Sequence, residues 1–400
     1  MRKLSAKYKI ITPMFIGNGQ QEADSVRPPS IKGALRFWWR ALNWGRCLTA
    51  SNADESAALC MLNEHEAHLF GRAAREEKNQ QRGGQGVFLL KVDADAIKAL
   101  SKTELDNERD YRATPGHQYL LGQGLYKNRY LRSALSMGKS FSVHLQFKPK
   151  TDDSEIHSIA EALMLFGLLG GLGSRARRGL GSIAIQHLEG SNLAVPKNCS
   201  ALEYILKQLT SGLPESLPPF TALSKAKETR LDISIQGTDA WSLLGTVGRE
   251  FQLHRSYGKD GKVNGQDSER RFVSDHNLAD AVTKGETVSQ HPQRVVFGLP
   301  HNYFFSNGSK VDVGPAHQNE NGEWTSEGRG RRASPLFIHA HQFPEGQCAI
   351  IQALLPATFL PQGDHIVLEG ADTSKILPNV DWKVVHGYME RFAQRQGIEL

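Results

Sequence analysis

The 400-residue sequence predicts an α+β fold built from two similar halves, and three observations lead to this prediction. The first half alternates strand-like and helix-like segments in the order β-α-β-β-α-β. A proline-rich transition follows, after which a second strand-like and helix-like pair begins. Long polar, glycine-rich stretches separate several elements, and such stretches are typical of loop insertions. A chain of this length is expected to form two domains.

Six segments of the first half carry the periodicities of strands and helices. Residues 141–147 alternate apolar and polar side chains with period two, whereas residues 155–169 place apolar side chains at helical spacing. Pro13 interrupts the first strand, which predicts an edge or a bulge. The predicted elements are, in order, strand 7–16, helix 30–45, strand 87–92, strand 141–147, helix 155–169 and strand 182–188. This order is the signature of a ferredoxin-like domain.

The second half repeats this plan less regularly. LDISIQG at 231–237 alternates as a strand does, and a helix is predicted from Asp239 to about His254. The further predicted elements are strands at 294–299, 333–343 and 348–355 and a helix at about 380–396. The predicted loops are 71–86, 255–292 and 306–330. We therefore predict a first domain over 1–190, a linker over 191–230 and a second domain over 231–400.

The composition predicts a cytoplasmic protein that needs no cofactor and spans no membrane. No run approaches the roughly 18 apolar residues of a membrane span. The basic N-terminus is followed by an apolar run too short for a signal peptide. The four cysteines are scattered without a C-x-x-C pair. This spacing argues against a disulfide framework and a thiolate zinc site, and favours a reducing compartment.

Positive charge is concentrated in three windows that contain no acidic residue, at 25–53, 162–188 and 328–344. The net charge of the whole chain is +6. The windows hold Arg27, Lys32, Arg36, Arg40 and Arg46, then Arg175, Arg177 and Arg178, then Arg329, Arg331 and Arg332. Separated windows of unopposed positive charge indicate a phosphate-binding surface that is distributed along the chain.

The predicted helix 30–45 contains the run RFWWR and has two different faces. Ser30 is its predicted N-cap after two prolines, and Gly45 marks its predicted end. The apolar face consists of Ile31, Leu35, Trp38 and Leu42. The opposite face consists of Lys32, Arg36, Trp39, Asn43 and Arg46, with Arg40 at its border.

The two adjacent tryptophans are predicted to do different jobs. Trp38 packs into the core, whereas Trp39 lies exposed among cations, where an indole ring suits the stacking of unpaired bases. In the alternative interpretation, Trp39 and Trp44 cover a neighbouring domain or subunit while the basic side chains extend to water.

The run LLGGLGSRARRGLGS at 168–182 combines glycines with arginines, and we term it the glycine-arginine turn. Glycines let a polyanion approach backbone N–H groups, and arginines add bidentate phosphate contacts. The run lacks the Gly-Lys-Ser/Thr ending of a Walker loop and follows a helix. The predicted RNA contacts are Gly170, Gly171, Gly173, Ser174, Arg175, Arg177, Arg178 and Gly179. A flexible linker with exposed arginines is the alternative.

These motifs together resemble a known family. RPPSIKGALRFWWRAL, GGLGSRARRGLGS, RVVFGLP and RRASPL resemble the RAMP superfamily. More narrowly, they resemble the first RAMP subunit of the type III-B CRISPR effector, the Cmr complex. ITP at 11–13 and LFG at 69–71 also fit, so the resemblance covers most of the chain.

The resemblance implies two tandem ferredoxin-like (RRM-like) domains and a role in antiviral defence, and because no residues assemble a convincing active site we predict that this role is non-catalytic. It implies binding of the 3′ region of the guide RNA, help in capturing single-stranded target RNA, and contact with other RAMP subunits. The family's basic surface corresponds here to Lys32, Arg36, Trp39, Arg40, the 170–181 loop, Arg294, Arg331 and Arg332. Arg27 joins this set through its acid-free window.

A metal-independent endoribonuclease is the alternative function, because some RAMP proteins cleave RNA and histidines can move the protons this needs. His65 and His68 resemble a zincin motif that is one residue too short. His339 and His341 point to one face of a predicted strand without an evident third ligand. The carboxylate pairs at 76–77 and 152–153 are interpreted as solvated surface. We predict no metal site and no catalytic residue.

Overall fold

The structure is a computed structural model that describes residues 2–77, 80–94, 97–258, 261–328 and 330–400. The side chains of 74–77 and 80–82 are outside this description, as is Arg329 of the third acid-free window. Helices and antiparallel sheets alternate along the chain, which confirms the predicted α+β class.

The first half contains the sheet and helices that position the glycine-arginine turn. Its strands are β1 (Lys3–Ile10), β2 (Gly71–Glu77), β3 (Gln80–Gln85), β4 (Phe88–Asp93), β5 (Ala99–Leu100), β6 (Ala134–Leu135), β7 (Ser140–Phe147) and β8 (Ile183–Glu189). Its helices are α1 (Pro28–Ala50), α2 (Glu55–Phe70), α3 (Lys102–Asn107), α4 (Pro115–Leu121) and α5 (Asp153–Leu169), and α6 (Cys199–Leu209) follows.

The second half has a similar set of elements and several additions. Its strands are β9 (Arg230–Gly237), β10 (Lys262–Val263), β11 (Gln266–Asp267), β12 (His301–Phe304), β13 (Lys310–Gln318), β14 (Trp324–Thr325), β15 (Leu336–Gln342), β16 (Cys348–Leu354), β17 (His365–Glu369), β18 (Thr373–Ile376) and β19 (Gln396–Ile398). Its helices are α7 (Ala240–Arg255), α8 (Val273–Thr283) and α9 (Lys383–Met389).

Each half has a four-stranded antiparallel sheet with the same strand order. The first sheet runs β4-β7-β1-β8 and the second runs β15-β16-β9-β19. When each set is numbered along the chain, both orders read second, third, first, fourth. Helices α1 and α5 pack on the first sheet, and α7 and α9 pack on the second. The predicted domain boundaries stay a prediction.

Several predicted boundaries are wrong, each for a local reason. Helix α1 begins at Pro28 without a side-chain cap and continues past Gly45 to Ala50. Gly45 is a packing position, since a Cβ there would lie 2.5 Å from Pro214 Cδ. The predicted strand 294–299 is a 3₁₀ turn at Gln293–Phe297. The three predicted loops contain regular elements, which are the β2–β3 hairpin, helix α8 and strand β13.

Helices α4 and α7 join the two halves through a buried histidine. His117 is 1% exposed, and its ring stacks on Trp241 with centroids 3.9 Å apart. Nε2 lies 2.7 Å from the carbonyl oxygen of Trp241, and Nδ1 lies 3.1 Å from the backbone nitrogen of Thr114. Because the Thr114 N–H donates, Nδ1 accepts and Nε2 carries the proton. Burial is the main reason that the pKa of His117 is lowered to about 4.

This pKa predicts that the contact between the halves weakens in mild acid. The folded pKa of about 4 lies below the ordinary value of 6.5, so the unfolded chain binds the proton first. Stability is therefore complete above about pH 6.5 and is lost as the pH falls towards 4. At pH 5 the loss from His117 is about 2 kcal/mol. Urea unfolding at pH 7 and 5 should show a smaller loss for His117→Gln than for the native chain, and equal losses would contradict the assignment.

Candidate nucleic-acid interface

The glycine-arginine turn lies between α5 and β8, at one end of the first sheet. The backbone N–H of Ser174 donates to the carbonyl of Phe15 at 2.9 Å. Gly173 and Gly179 have φ angles of 87° and 81°, which glycine adopts without strain. A Cβ at Gly173 would lie 2.6 Å from the Phe15 oxygen, and one at Gly179 would lie 2.5 Å from Leu244 Cδ1. These glycines therefore allow close packing within the protein.

The predicted exposure of the turn's glycines is only partly correct. Gly170 and Gly179 are buried, so the prediction that they contact RNA is wrong. The Gly170 carbonyl lies 2.9 Å from Nδ1 of the buried His339. Gly171 and Ser174 are half-buried and Gly173 is exposed, and their contact with RNA stays a prediction.

The same turn joins the first half to the edge strand of the second sheet. The carbonyl of Arg177 accepts a hydrogen bond from the Ile338 N–H at 3.0 Å, and Arg178 pairs with Ile338 in a parallel bridge. The hydroxyl of Ser182 accepts a hydrogen bond from the Ala340 N–H at 3.1 Å. The alternative of a flexible linker is therefore wrong.

Arg177 is held between the halves by aromatic rings. Its guanidinium carbon lies 5.4 Å from the ring centroid of Phe37 in α1 and 4.6 Å from that of Phe337 in β15. Nη1 donates to the carbonyl of Ser334 at 2.5 Å. Contacts of this kind stabilise the joint while leaving the positive charge unneutralised.

Arginines from both halves meet at this joint, and we term them the arginine row. Its members are Arg332, Arg177, Arg331, Arg175, Arg178 and Arg255. Burial and then the charge of Arg331 lower the pKa of Arg175. Burial and then the charge of Arg332 lower the pKa of Arg177 to about 10. These mutual effects place the guanidinium groups close enough to repel one another.

The row continues from the turn to the end of helix α7. Burial, followed by the charges of Arg255 and Arg175, lowers the pKa of Arg178 to about 10. Nη1 of Arg178 lies 3.5 Å from the carbonyl oxygen of Tyr119. Within the described part of the chain, no carboxylate forms an ion pair with any member of the row. Arg175 and Arg331 are exposed, so a ligand can reach the row from solvent.

A cavity lies at each end of the row. The cavity at Arg332 has a volume of about 520 Å³ and is also lined by Phe37, Arg40 and Phe359. Nε of Arg332 donates to the carbonyl of Phe359 at 2.7 Å. The cavity at Arg255 has a volume of about 450 Å³. The joint therefore offers a path of positive charge between two concave regions.

The prediction that Trp39 is exposed is wrong. Trp39 and Trp38 are both 3% exposed. The Trp39 ring packs edge-on against Phe70 of α2, with centroids 6.0 Å apart, and its Nε1 donates to the Ser158 hydroxyl at 3.1 Å. Helix α1 is enclosed by α2 and α5 as well as by the sheet, so Trp39 is unavailable for stacking. Trp44 is also fully buried, and its ring packs edge-on against Phe220; the alternative that these tryptophans cover a neighbouring domain or subunit stays a prediction.

Three cations of α1 form ion pairs with carboxylates of other helices. Glu66 of α2 is 4% exposed and lies 2.5 Å from Nη2 of Arg36 and 3.4 Å from Nη1 of Arg40. The buried Glu161 of α5 forms a two-pronged ion pair with Arg46. A window without acids in sequence thus receives carboxylates from other helices, and the predicted charge of this face is largely neutralised.

Two further predicted contacts of the first window are half-buried. Burial, with the charge of Arg36, lowers the pKa of Lys32. Nη2 of Arg27 donates to the carbonyl of Gly17 at 2.5 Å. The contact of both residues with RNA stays a prediction.

Arg294 is held in a buried ion pair, and its predicted contact with RNA stays a prediction. Arg294 is 7% exposed, and its Nε lies 3.1 Å from Oδ2 of the fully buried Asp275. The same carboxylate accepts hydrogen bonds from the backbone N–H groups of Gln293 and Arg294 at 2.7 and 2.9 Å. Arg294 therefore belongs to a neutralised structural pair.

The histidines considered for catalysis lie in unsuitable surroundings. His68 lies 2.7 Å from Glu155 on the surface, and His65 is exposed. His339 and His341 are fully buried, and burial lowers the pKa of both. In the described ranges, no group of three or more His, Cys, Asp and Glu side chains is arranged to hold a metal ion.

Sequence reasoning missed Arg255 and Lys262, two cations that line the cavity at the end of α7. Arg255 lies in FQLHRSYGKDGK, outside the three acid-free windows, and Lys262 follows it in a predicted loop. Arg255 comes close to Arg178 of the turn only because the two halves are in contact. Sequence spacing carries no signal for that contact.

The fold and the joint define a class of protein: two α+β halves that share a row of arginines, which no described carboxylate pairs with and which suits a polyanion. Residues 7–184 match the model of the RAMP superfamily, so this part of the chain is similar to that superfamily. The resemblance given by the sequence motifs is thereby confirmed.

Individual proteins are similar over almost the whole chain. The CRISPR system Cmr subunit Cmr1-1 of Pyrococcus furiosus is 24% identical over 382 residues, which cover 90% of this chain and 89% of the relative. The crystal structure of apo Cmr1 from Pyrococcus furiosus covers 100% of this chain and 99% of its own, with 20% identity and a TM-score of 0.50. The match to a chain of the Type III-B Cmr-beta bound to cognate target RNA covers 98% of this chain and 99% of that chain, with 13% identity and a TM-score of 0.50. The two structures show a shared fold.

Proposed function

We propose that this protein is a non-catalytic RNA-binding subunit of a type III-B CRISPR RNA-guided effector. The arginine row carries the proposal. Six arginines from two halves lie together without a paired carboxylate in the described chain, an arrangement that a polyanion would stabilise. Single-stranded RNA is flexible enough to place successive phosphates along such a row.

The place in the effector follows from the similar proteins. The relative Cmr1-1 is a Cmr subunit, and a chain of similar fold occurs in Cmr-beta bound to target RNA. We infer that this chain also assembles with other RAMP subunits, holds the 3′ region of the guide RNA and helps to capture target RNA. Among the described residues, no helix is long and apolar enough to cross a membrane.

The two halves are proposed to be tandem ferredoxin-like domains. Their four-stranded sheets share one strand order, and each has helices packed on one face. A non-catalytic role is supported by the surroundings of the histidines, which are buried, ion-paired or isolated on the surface.

Binding to labelled single-stranded RNA should depend strongly on salt. If about five phosphates are engaged, the slope of log affinity against log salt should be near −3.5, from about −0.7 per phosphate. Fluorescence anisotropy titrations between about 50 and 400 mM KCl measure this slope, because the range covers about one decade of salt concentration. A flat response would contradict RNA binding through the row. Reproducible cutting of the RNA that survives EDTA would instead favour the endoribonuclease.

A further inference from the structure

The cavity at the end of helix α7 is lined by a buried cation, Arg255, that no described carboxylate neutralises. Arg255 is 9% exposed, and its Nε has no hydrogen-bond partner among the residues that the structure describes. Its guanidinium lies over the rings of Phe251 and Phe297, 5.0 and 4.7 Å from their centroids. In the described chain, no carboxylate is paired with it. A buried charge with this environment is unfavourable unless an anion joins it.

The neighbouring Arg294 is also buried, but its guanidinium is paired with a carboxylate. Arg294 has a similar exposure of 7%, but it is paired with Asp275 and donates to the backbone carbonyl of Arg255 at 3.0 Å. Both arginines line this cavity, and the fold supplies a carboxylate to Arg294 but, within the described chain, none to Arg255. The difference points to a ligand at Arg255.

The lining of the cavity suits a phosphate group. Arg255 shares it with Arg294, Lys262, His301, Asn264, Tyr119 and Tyr257, and none of the lining residues that the structure describes is a carboxylate. Its volume of about 450 Å³ is within the range of small-molecule sites and exceeds the needs of a single ion. Arg178 adds a further positive charge close to Arg255. Guanidinium groups bind phosphate oxygens through two parallel hydrogen bonds.

We infer that this cavity binds the phosphate group of a ribonucleotide, with Arg255 as its principal ligand. The inference rests on the proposed function for the source of that phosphate, because Arg178 connects the cavity to the rest of the arginine row. A phosphate of the bound RNA then enters the cavity at the Arg255 end. A free mononucleotide carries the same group and is the other possible source.

Arg255→Met tests the site, because methionine keeps an apolar chain over the two phenylalanine rings and removes the charge. Arg249→Met is the matched control, since Arg249 is exposed on the same helix and lines a different cavity. In phosphate-free buffer, Arg255→Met should melt at the same or a higher temperature than the native chain. Inorganic phosphate or AMP at millimolar concentration should raise the melting temperature of the native chain and of Arg249→Met, but not of Arg255→Met.

RNA affinity provides the second readout. Arg255→Met should bind single-stranded RNA about 5-fold more weakly at 0.1 M salt, with a salt slope smaller by about 0.7, as expected for one lost phosphate contact. If Arg255→Met melts at a lower temperature than the native chain in phosphate-free buffer, Arg255→Lys is tested in its place. Lysine keeps the positive charge, so the salt slope should be retained while the affinity for RNA falls.

The outcomes separate this inference from the proposed function. Unchanged RNA affinity in Arg255→Met, together with no stabilisation of the native chain by phosphate or AMP, overturns the cavity assignment. The proposed function survives that result if variants at Arg175 and Arg331 lose RNA affinity. Stabilisation by AMP through Arg255 in a chain that binds no RNA supports the cavity and identifies a free nucleotide as its ligand. That result would contradict the proposed function.

Discussion

Trp39→Ala is expected to lower the free energy of unfolding by about 3–5 kcal/mol, as is Trp38→Ala. Both indole rings are 3% exposed, so each substitution leaves a large cavity in packed surroundings. Trp39 additionally loses its edge-on contact with Phe70 and its hydrogen bond to Ser158. Urea unfolding followed by circular dichroism measures the change.

Two controls make this result specific to burial. Trp39→Phe keeps an aromatic ring and should retain most of the stability. Trp324→Ala removes a half-buried ring from the short strand β14 and should have a much smaller effect. Trp39→Ala could instead lower the free energy of unfolding by less than about 1 kcal/mol, far below the usual cost of truncating a buried tryptophan. Together with weaker RNA binding, that result would support an exposed stacking ring.

The double substitution Arg175→Gln and Arg331→Gln is expected to weaken RNA binding about 25-fold at 0.1 M salt. Each lost phosphate contact removes about 0.7 from the salt slope, so two contacts remove about 1.4 and a corresponding factor in affinity. Both side chains are exposed, and both lack an ion pair in the described chain, so folding should be nearly unaffected. Anisotropy titrations at several salt concentrations measure both quantities.

The matched control neutralises the same amount of charge elsewhere. Lys3→Gln and Lys150→Gln lie at the opposite end of the first sheet from the turn, where β1 begins and β7 ends. This double variant should keep the affinity of the native chain within about 2-fold and its salt slope, because it removes no phosphate contact. Equal losses in both double variants would show that net charge alone governs binding.

The elements with strict periodicity could be predicted from the sequence. The alternation over 141–147 gave strand β7 (Ser140–Phe147), and the helical spacing over 155–169 gave helix α5 (Asp153–Leu169). Burial of one face requires these repeats, so they report structure directly. Gly45 was misleading because the sequence does not distinguish a glycine required for close packing from a glycine that ends a helix.

The site could be predicted only in part, because charge pairing depends on contacts between distant segments. The arginines of the turn, Arg331 and Arg332 were identified. Glu66 and Asp275, however, approach three other predicted cations from separate helices, namely Arg36, Arg40 and Arg294. An interval without acidic residues along the chain says nothing about carboxylates that approach it from other segments. Trp39 was misassigned for the same reason, since α2 covers a helix face that sequence patterning leaves open to solvent.

The backbone pairing of Arg177 and Arg178 with Ile338 has a consequence for recognition. Because main-chain hydrogen bonds fix the turn to strand β15, the spacing between cations from the two halves is set before any ligand arrives. Binding then requires no ordering of a mobile loop, which removes an entropic cost that weakens many flexible binders. A nucleic-acid strand adapts its own conformation to a preorganised template.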